Sequence, residues 1–248
     1  DELDRLIADA TGTVMWAHGD GTTAVFTPGF ATEVIAGGAV AGFSGDGGPA
    51  QQAVFNGVDD LAYDPSGNLF ILDRGNVRVR RIDPSGNIST YAGNGQSAQG
   101  TDGVLASQSS LDSPTALAVG ADGSVYIAED GRDPVFFFPQ VRIRKVDPAG
   151  IITTVIASTP SSGIQPIQKL VFDPRSDSFL VLSFGRVMRI VSSDAVTPVA
   201  GGIGVGFSGD EGLAVDAALN EPTGIALDAL GNLYITDTGN LRIRQVDP

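Results

Sequence analysis

A pattern that restarts every 54 to 56 residues constrains this chain more than any other feature. Five short apolar segments align: Val14–Ala17, Leu69–Leu72, Val125–Ala128, Phe179–Leu182 and Leu233–Thr236. Their starts are 55, 56, 54 and 54 residues apart. A period held over four intervals marks a chain built from stacked supersecondary units. The order within each unit is also fixed. An apolar stretch such as Thr115–Val119 or Thr223–Leu227 leads into a tight turn, of which Asp64–Asn68 and Asp228–Asn232 are the clearest. There Asp bonds its own backbone and Gly takes the left-handed position. The anchor segment follows, then a polar loop such as Asp237–Asn240, then an alternating third segment: Val77–Asp83, Val141–Asp147 or Leu241–Asp247. A second turn leads to a fourth segment, Ile88–Ala92 or Ile151–Val155.

Four short β-rich segments joined by hairpin turns predict one antiparallel sheet. Sheets repeated at this period predict an all-β chain, a β-propeller of four-stranded antiparallel blades. Five blades are visible, at 1–36, 55–92, 111–157, 164–200 and 219–248, together one propeller domain. A β-sandwich does not explain a pattern that restarts with the same residues.

Residues 220–228 and 231–247 resemble an NHL repeat of the bacterial type. So do 55–92 and 111–157, while 1–36 and 164–200 are degenerate copies. The resemblance implies a ring that commonly has six blades. About 19 strands are countable, and the fifth copy stops before its fourth. The expectation is therefore a piece of a longer chain, or a gap filled by strand addition from a partner. The resemblance specifies the fold and says little of function, since propellers host unrelated activities.

Composition narrows the function classes. The 29 acidic and 15 basic residues leave a net charge of −14, a field that repels nucleic acid and anionic membrane. No apolar run approaches the roughly 20 residues of a membrane span. There is no cysteine, which removes disulfides and thiolate metal sites. Glycine-, alanine- and aspartate-rich repeats of this style suggest an extracellular or cell-surface location. The single histidine, His18, cannot build the multi-histidine zinc site of the amidating lyases that share this fold. The metal-holding acids of gluconolactonase-type propellers are not assembled either: the inner segments open on Asp59, Thr115, Gln168 and Thr223. No cofactor is expected, with calcium at Asp59-Asp60, Asp130–Asp133 or Asp210-Glu211 as the one candidate.

Three recurrent features have a structural and a functional reading. Arg78 and Arg80, Arg142 and Arg144, and Arg242 and Arg244 each share one face of a third strand. They could fork around an anion, but recurrence in several copies favours pairing with Asp73, Glu129, Asp237, Asp83 and Asp147. The connector Gly42–Asp46 recurs as Gly206–Asp210; its amides could form an anion nest, although the structural reading, with Phe43 and Phe207 plugged into a blade interface, is the stronger. Trp16 and His18 fall where blade loops open on one face, and join the partner-binding candidates.

One feature is singular. Asp237 precedes Arg242 by five residues, whereas Glu129 precedes Arg142 by thirteen. The eight additional residues include Asp133 and the run Phe136, Phe137 and Phe138. Three consecutive phenylalanines cannot all face one side of an extended chain, so this loop is the first candidate for partner contact; the alternative is that it folds back over the rim. The leading expectation is a non-catalytic scaffold that binds a protein, a glycan or a neighbouring copy of itself. The alternative is a metal-dependent hydrolase or lyase acting at the propeller channel.

Overall fold

A computed structural model describes residues 3–8, 14–18, 23–26, 33–38, 40–132, 139–158, 164–202 and 204–248. Up to Glu33, and at Arg132 and Pro139, it describes the backbone alone. The chain forms two compact units, one of residues 1–131 with 144–154 and one of 132–143 with 155–248.

The first unit holds two antiparallel sheets and most of a third. Strands β1 (Leu3–Ala8), β2 (Val14–His18), β3 (Thr23–Phe26) and β4 (Glu33–Ala36) make the first blade, paired in sequence order. Strands β5 (Val58–Tyr63), β6 (Leu69–Asp73), β7 (Arg78–Ile82) and β8 (Ile88–Ala92) make the second. The third contains β10 (Pro114–Val119), β11 (Val125–Arg132), β12 (Pro139–Val146) and β13 (Ile151–Ala157), with the two-residue β9 (Val104–Leu105) on its outer edge. The second unit carries the fourth blade, β14 (Lys169–Asp173), β15 (Ser178–Ser183), β16 (Arg186–Ser192) and β17 (Ala195–Ala200), and a fifth with β18 (Pro222–Leu227), β19 (Leu233–Asp237) and β20 (Arg242–Val246). The described helical residues are 3₁₀ turns of three residues each. No described helix is long and apolar enough to cross a membrane.

The turns form as their composition dictates. Asp64 Oδ1 accepts the amides of Ser66 and Asn68, with Gly67 at φ 81°. Asp83 repeats this with Ser85 and Asn87, and Asp228 with Gly231 and Asn232. The amide of Asn87 is the main reason the Asp83 carboxyl titrates below the usual carboxylate range.

Burial explains why the anchor strands read as unbroken apolar runs. All five residues of β6 are buried because the sheet is covered on both faces. Leu69 and Ile71 join Ala36, Ala50, Phe55, Val58 and Leu61 in one core. Phe70 and Leu72 point the other way, into a second core with Leu111, Leu117, Ile127, Val146 and Ile152. In the second unit Leu180, Leu182 and Val187 pack with Leu219, Leu233 and Ile235. Three connectors thus contribute a plug to an interblade core: Phe55, Leu111 and Leu219.

A polar contact also ties blade 2 to blade 3. Asp60, 6% exposed, accepts the backbone amide of Leu117 at 2.8 Å. Asp60→Ala would leave that amide buried without its acceptor, a cost of about 1–3 kcal/mol. The expected outcome is a lower urea midpoint at unchanged m-value; an unaltered midpoint would contradict this role.

Candidate interaction site

Three of the blades share one side-chain clamp, and it consumes most of the chemistry that the sequence offers. In blade 2, Asp73 closes β6 and is fully buried. Its Oδ1 accepts the Asn56 amide at 2.8 Å, and its carboxylate accepts Asn76 Nδ2 at 2.8 Å. Asn76 Nδ2 also donates to the carbonyl of Gly42, drawing the connector down onto the blade. Arg80, with no exposed surface, reaches Asp73 at 3.5 Å and Asp46 at 2.7 Å. Thr90 Oγ1 on the fourth strand donates to Asp46 at 2.7 Å. Burial pushes the Asp73 carboxyl up, against the opposing hydrogen bonds from Asn56, Asn76 and Arg80.

Blade 5 repeats the arrangement. Asp237 accepts the Asn220 amide and Asn240 Nδ2, Asn240 donates to the carbonyl of Gly206, and Arg244 meets Asp237 at 3.3 Å and Asp210 at 2.6 Å. Blade 3 substitutes Glu129 for the aspartate; it accepts the Asp112 amide, and Arg144 lies 3.5 Å from it and 2.9 Å from Asp102. Thr154 donates to Asp102 from the fourth strand, as Thr90 does to Asp46. Asp46 and Asp210 precede their arginines by 34 residues, and Asp102 precedes Arg144 by 42, the difference of eight being the blade 3 insertion.

The arginine pairs are therefore structural, and three of the expected acids, Asp73, Glu129 and Asp237, are their partners. Asp83 and Asp147 are not; each closes its own turn. The connector phenylalanines also depart from expectation. Phe43 and Phe207 are 43% and 46% exposed rather than plugged into an interface. Each lies under an arginine pair: Phe43 has Arg78 at 4.0 Å and Arg80 at 4.7 Å from its centroid, and Phe207 has Arg242 at 4.1 Å and Arg244 at 5.0 Å. These are cation–π distances, and the ring also screens the buried guanidinium from water. Gly45 and Gly209 (φ 95° and 89°) permit this close approach: a Cβ would stand 2.7 Å from Ala53 Cα in the first and 2.6 Å from Ala217 Cα in the second.

Blade 4 breaks the clamp. Connectors 37–57, 93–113 and 201–221 are each 21 residues long, but 158–168 is 11, and no 3₁₀ turn is described in it. The position of Asp73 is occupied by Ser183, whose Oγ donates to the carbonyl of Pro166. The position of Arg80, opposite Ile71, is occupied by Met188, opposite Val181. Arg186 stands where Arg78 and Arg242 stand, and among the described residues its side chain makes no hydrogen bond or ion pair. On this face a cavity of about 400 Å³ is lined by Ile164, Gln165, Val181, Ser183, Phe184, Arg186, Met188, Ile190 and Val196.

Blade 4 places its charges elsewhere. Asp173, 2% exposed, is bonded by Arg189 at 2.9 Å, by Ser176 Oγ at 2.8 Å and by Arg175 at 3.1 Å. Arg175 also donates to the carbonyls of Leu230 and Gly231 in blade 5. Burial pushes the Asp173 carboxyl up, but the hydrogen bonds led by Arg189 outweigh it and hold the group well below the usual carboxylate range.

Trp16 and His18 are in β2, where the Trp16 backbone pairs with Leu6 and Ala24 and that of His18 with Leu3, so His18 ends a strand rather than lying in the following loop. Their side chains lie outside the described residues, as do Asp133, Phe136, Phe137 and Phe138. The insertion's stem is described: β11 and β12 are eight residues each, against five for β6, β7, β19 and β20. Among the described residues, the 3₁₀ turns at Arg74–Asn76 and Thr238–Asn240 have no counterpart there. Of the carboxylate turns, Asp59 pairs with Arg74, Asp60 with the Leu117 amide and Asp210 with Arg244. Among the described residues no three His, Asp or Glu side chains converge. Asp46, Asp102 and the blade 4 cavity escaped the sequence reading, although the constant spacing and the short connector were there to find.

Antiparallel four-stranded sheets that follow one another in sequence order and pack face to face define the class: this is a β-propeller. The NHL repeat model matches residues 219–246. The chain is 33% identical over 192 residues to human Teneurin-4, covering 75% of this chain and 6% of that protein. To mouse Teneurin-1 it is 28% identical over 234 residues, 82% of this chain and 8% of that one. It therefore spans only 5% to 8% of the length of these curated relatives. A streptogramin B lyase structure superposes with a TM-score of 0.58 at 12% identity, covering 99% of this chain and 68% of that one; at that identity the likeness is one of fold. Residues 219–246 thus carry an NHL repeat within this propeller.

Two outcomes test the clamp. Arg80→Met should destabilise the protein by about 3–5 kcal/mol, because Asp73 loses its buried counter-charge. Adding Asp73→Ser, which recreates the blade 4 pair, should recover part of that loss in denaturant unfolding; additive losses would contradict the clamp. For Asp173 the folded pKa lies below its unfolded value of 3.8. Its stabilisation is thus complete above about pH 4 and is lost as the pH falls through the folded value. Asp173→Asn should flatten the dependence of the urea midpoint between pH 5 and pH 2 relative to the parent protein.

Proposed function

We propose that this propeller is a non-catalytic binding scaffold that engages a protein partner through the hairpin of blade 3. The observation that carries the reading is the departure of β11 and β12 from the repeat. Where blades 2 and 5 turn through three 3₁₀ residues, blade 3 runs two eight-residue strands into the segment holding Asp133 and Phe136, Phe137 and Phe138. Singular loops on a repeated scaffold are where recognition concentrates, and consecutive aromatics offer large contact area at low entropic cost.

The rest of the chain supports a scaffold role. Arg80, Arg144 and Arg244 are held in the recurrent clamp, and a net charge of −14 disfavours nucleic acid and anionic membrane as partners. The likeness to teneurins over three quarters of the chain supports a place at the cell surface or outside the cell. The partner is either a different protein or a second copy of this one.

Incorporating a photo-crosslinking phenylalanine analogue at position 137 in the native host separates these. The expected result is one discrete adduct, of the chain with its partner or with itself, that is absent when the analogue is at Ser66 in an exposed turn. The triple variant Phe136→Ser, Phe137→Ser, Phe138→Ser should lower partner binding at least ~10-fold, the scale of a hot-spot loss, with its unfolding curve unchanged. Undiminished binding would refute the assignment.

A further inference from the structure

We propose that the cavity of blade 4 is a docking site for an aromatic side chain presented by an extended, glycine-rich segment of a protein partner. This does not rest on the blade 3 hairpin; it stands on what blade 4 lacks relative to its sister blades.

In blades 2 and 5 the corresponding face is occupied from within the chain. A connector phenylalanine lies on the first arginine of the third strand, at 4.0 Å for Phe43 on Arg78 and 4.1 Å for Phe207 on Arg242. Blade 4 keeps that arginine as Arg186, and among the described residues no ring lies on it. Its connector is ten residues shorter, and the sequence has no aromatic residue between Phe138 and Phe172 that could replace it. Arg186 is exposed and, among the described residues, unpaired.

The other substitutions suit the same guest. With Met188 in place of the buried arginine and Ser183 in place of the buried acid, the floor of Val181, Met188 and Ile190 is apolar. Methionine makes favourable contacts with aromatic rings and adapts to their shape. A cavity of about 400 Å³ is within the range of side-chain and small-ligand sites. At its rim Phe184 is 70% exposed and sits at φ 44°, in the two-residue turn between β15 and β16. The two-residue turn Phe184-Gly185, with both residues at positive φ, sets that ring at the mouth. The guanidinium, the apolar floor and the rim ring together complement the π-face of an incoming side chain; the cation of Arg186 supplies the charge complementarity.

The chain holds two methionines, Met15 and Met188, so methyl-labelled methionine reports on the site directly. The probe is the hexapeptide of this chain's own connector, residues 41–46, blocked at both ends and added at millimolar concentration. The expected result is a saturable upfield ring-current shift of the Met188 methyl, assigned by Met188→Leu, with the Met15 methyl unmoved. The same peptide with phenylalanine replaced by leucine should give no such shift. Arg186→Gln, at an exposed position, should fold normally and bind about 2- to 5-fold more weakly, the range of an exposed cation–π contact. Absence of a saturable shift, equal binding of the leucine peptide, or unaltered affinity in Arg186→Gln would each overturn the proposal.

Discussion

Burying an arginine costs several kcal/mol unless a carboxylate meets its charge. Blades 2, 3 and 5 meet that demand with two acids from different parts of the chain. One closes the anchor strand (Asp73, Glu129 or Asp237), and the other arrives on the connector (Asp46, Asp102 or Asp210). Because the second acid lies 34 to 42 residues before its arginine, the pair can form only when connector and blade are both in place. The clamp thus couples local strand formation to the positioning of the long connector. Apolar burial cannot specify this alone, since it is non-directional.

The connector gains its other contacts from this one. Once Asp46 is fixed on Arg80 and Gly42 on Asn76, Phe43 lies on the arginine pair and Phe55 drops into the core. Sequence variation then has a predictable consequence. Blade 3 replaces aspartate by glutamate and keeps the clamp, with Thr154 holding Asp102 as Thr90 holds Asp46. Blade 4 removes the connector acid, the buried acid and the buried arginine together. Among the described residues no buried charge is left orphaned there, and a cavity opens instead. That joint loss is what the energetics require, because losing one partner alone would strand a buried charge.

The blade architecture was legible in the residues themselves. Anchor quartets at steady intervals, Asp-Pro-x-Gly turns and alternating third strands led to sheets whose strands fall where the pattern placed them. The pairing of Arg80 and Arg144 with Asp73 and Glu129 was legible too, since a contact repeated in several copies is a scaffold contact. The connector was misread at Phe43 and Phe207. Their recurrence marked a structural role, but an aromatic residue near a blade suggested burial, and only the tertiary structure places each ring half-exposed on a guanidinium pair.

By itself the sequence determined the repeat, the sheet type and the turns, because those follow from periodicity and from the local chemistry of Asp, Pro and Gly over a few residues. The tertiary structure decided which acid meets which arginine, that Asp60 reaches the Leu117 amide 57 residues away, and that the short connector of blade 4 leaves Arg186 facing a cavity. Those outcomes depend on how separate segments approach in space, which a linear pattern of residue types does not encode.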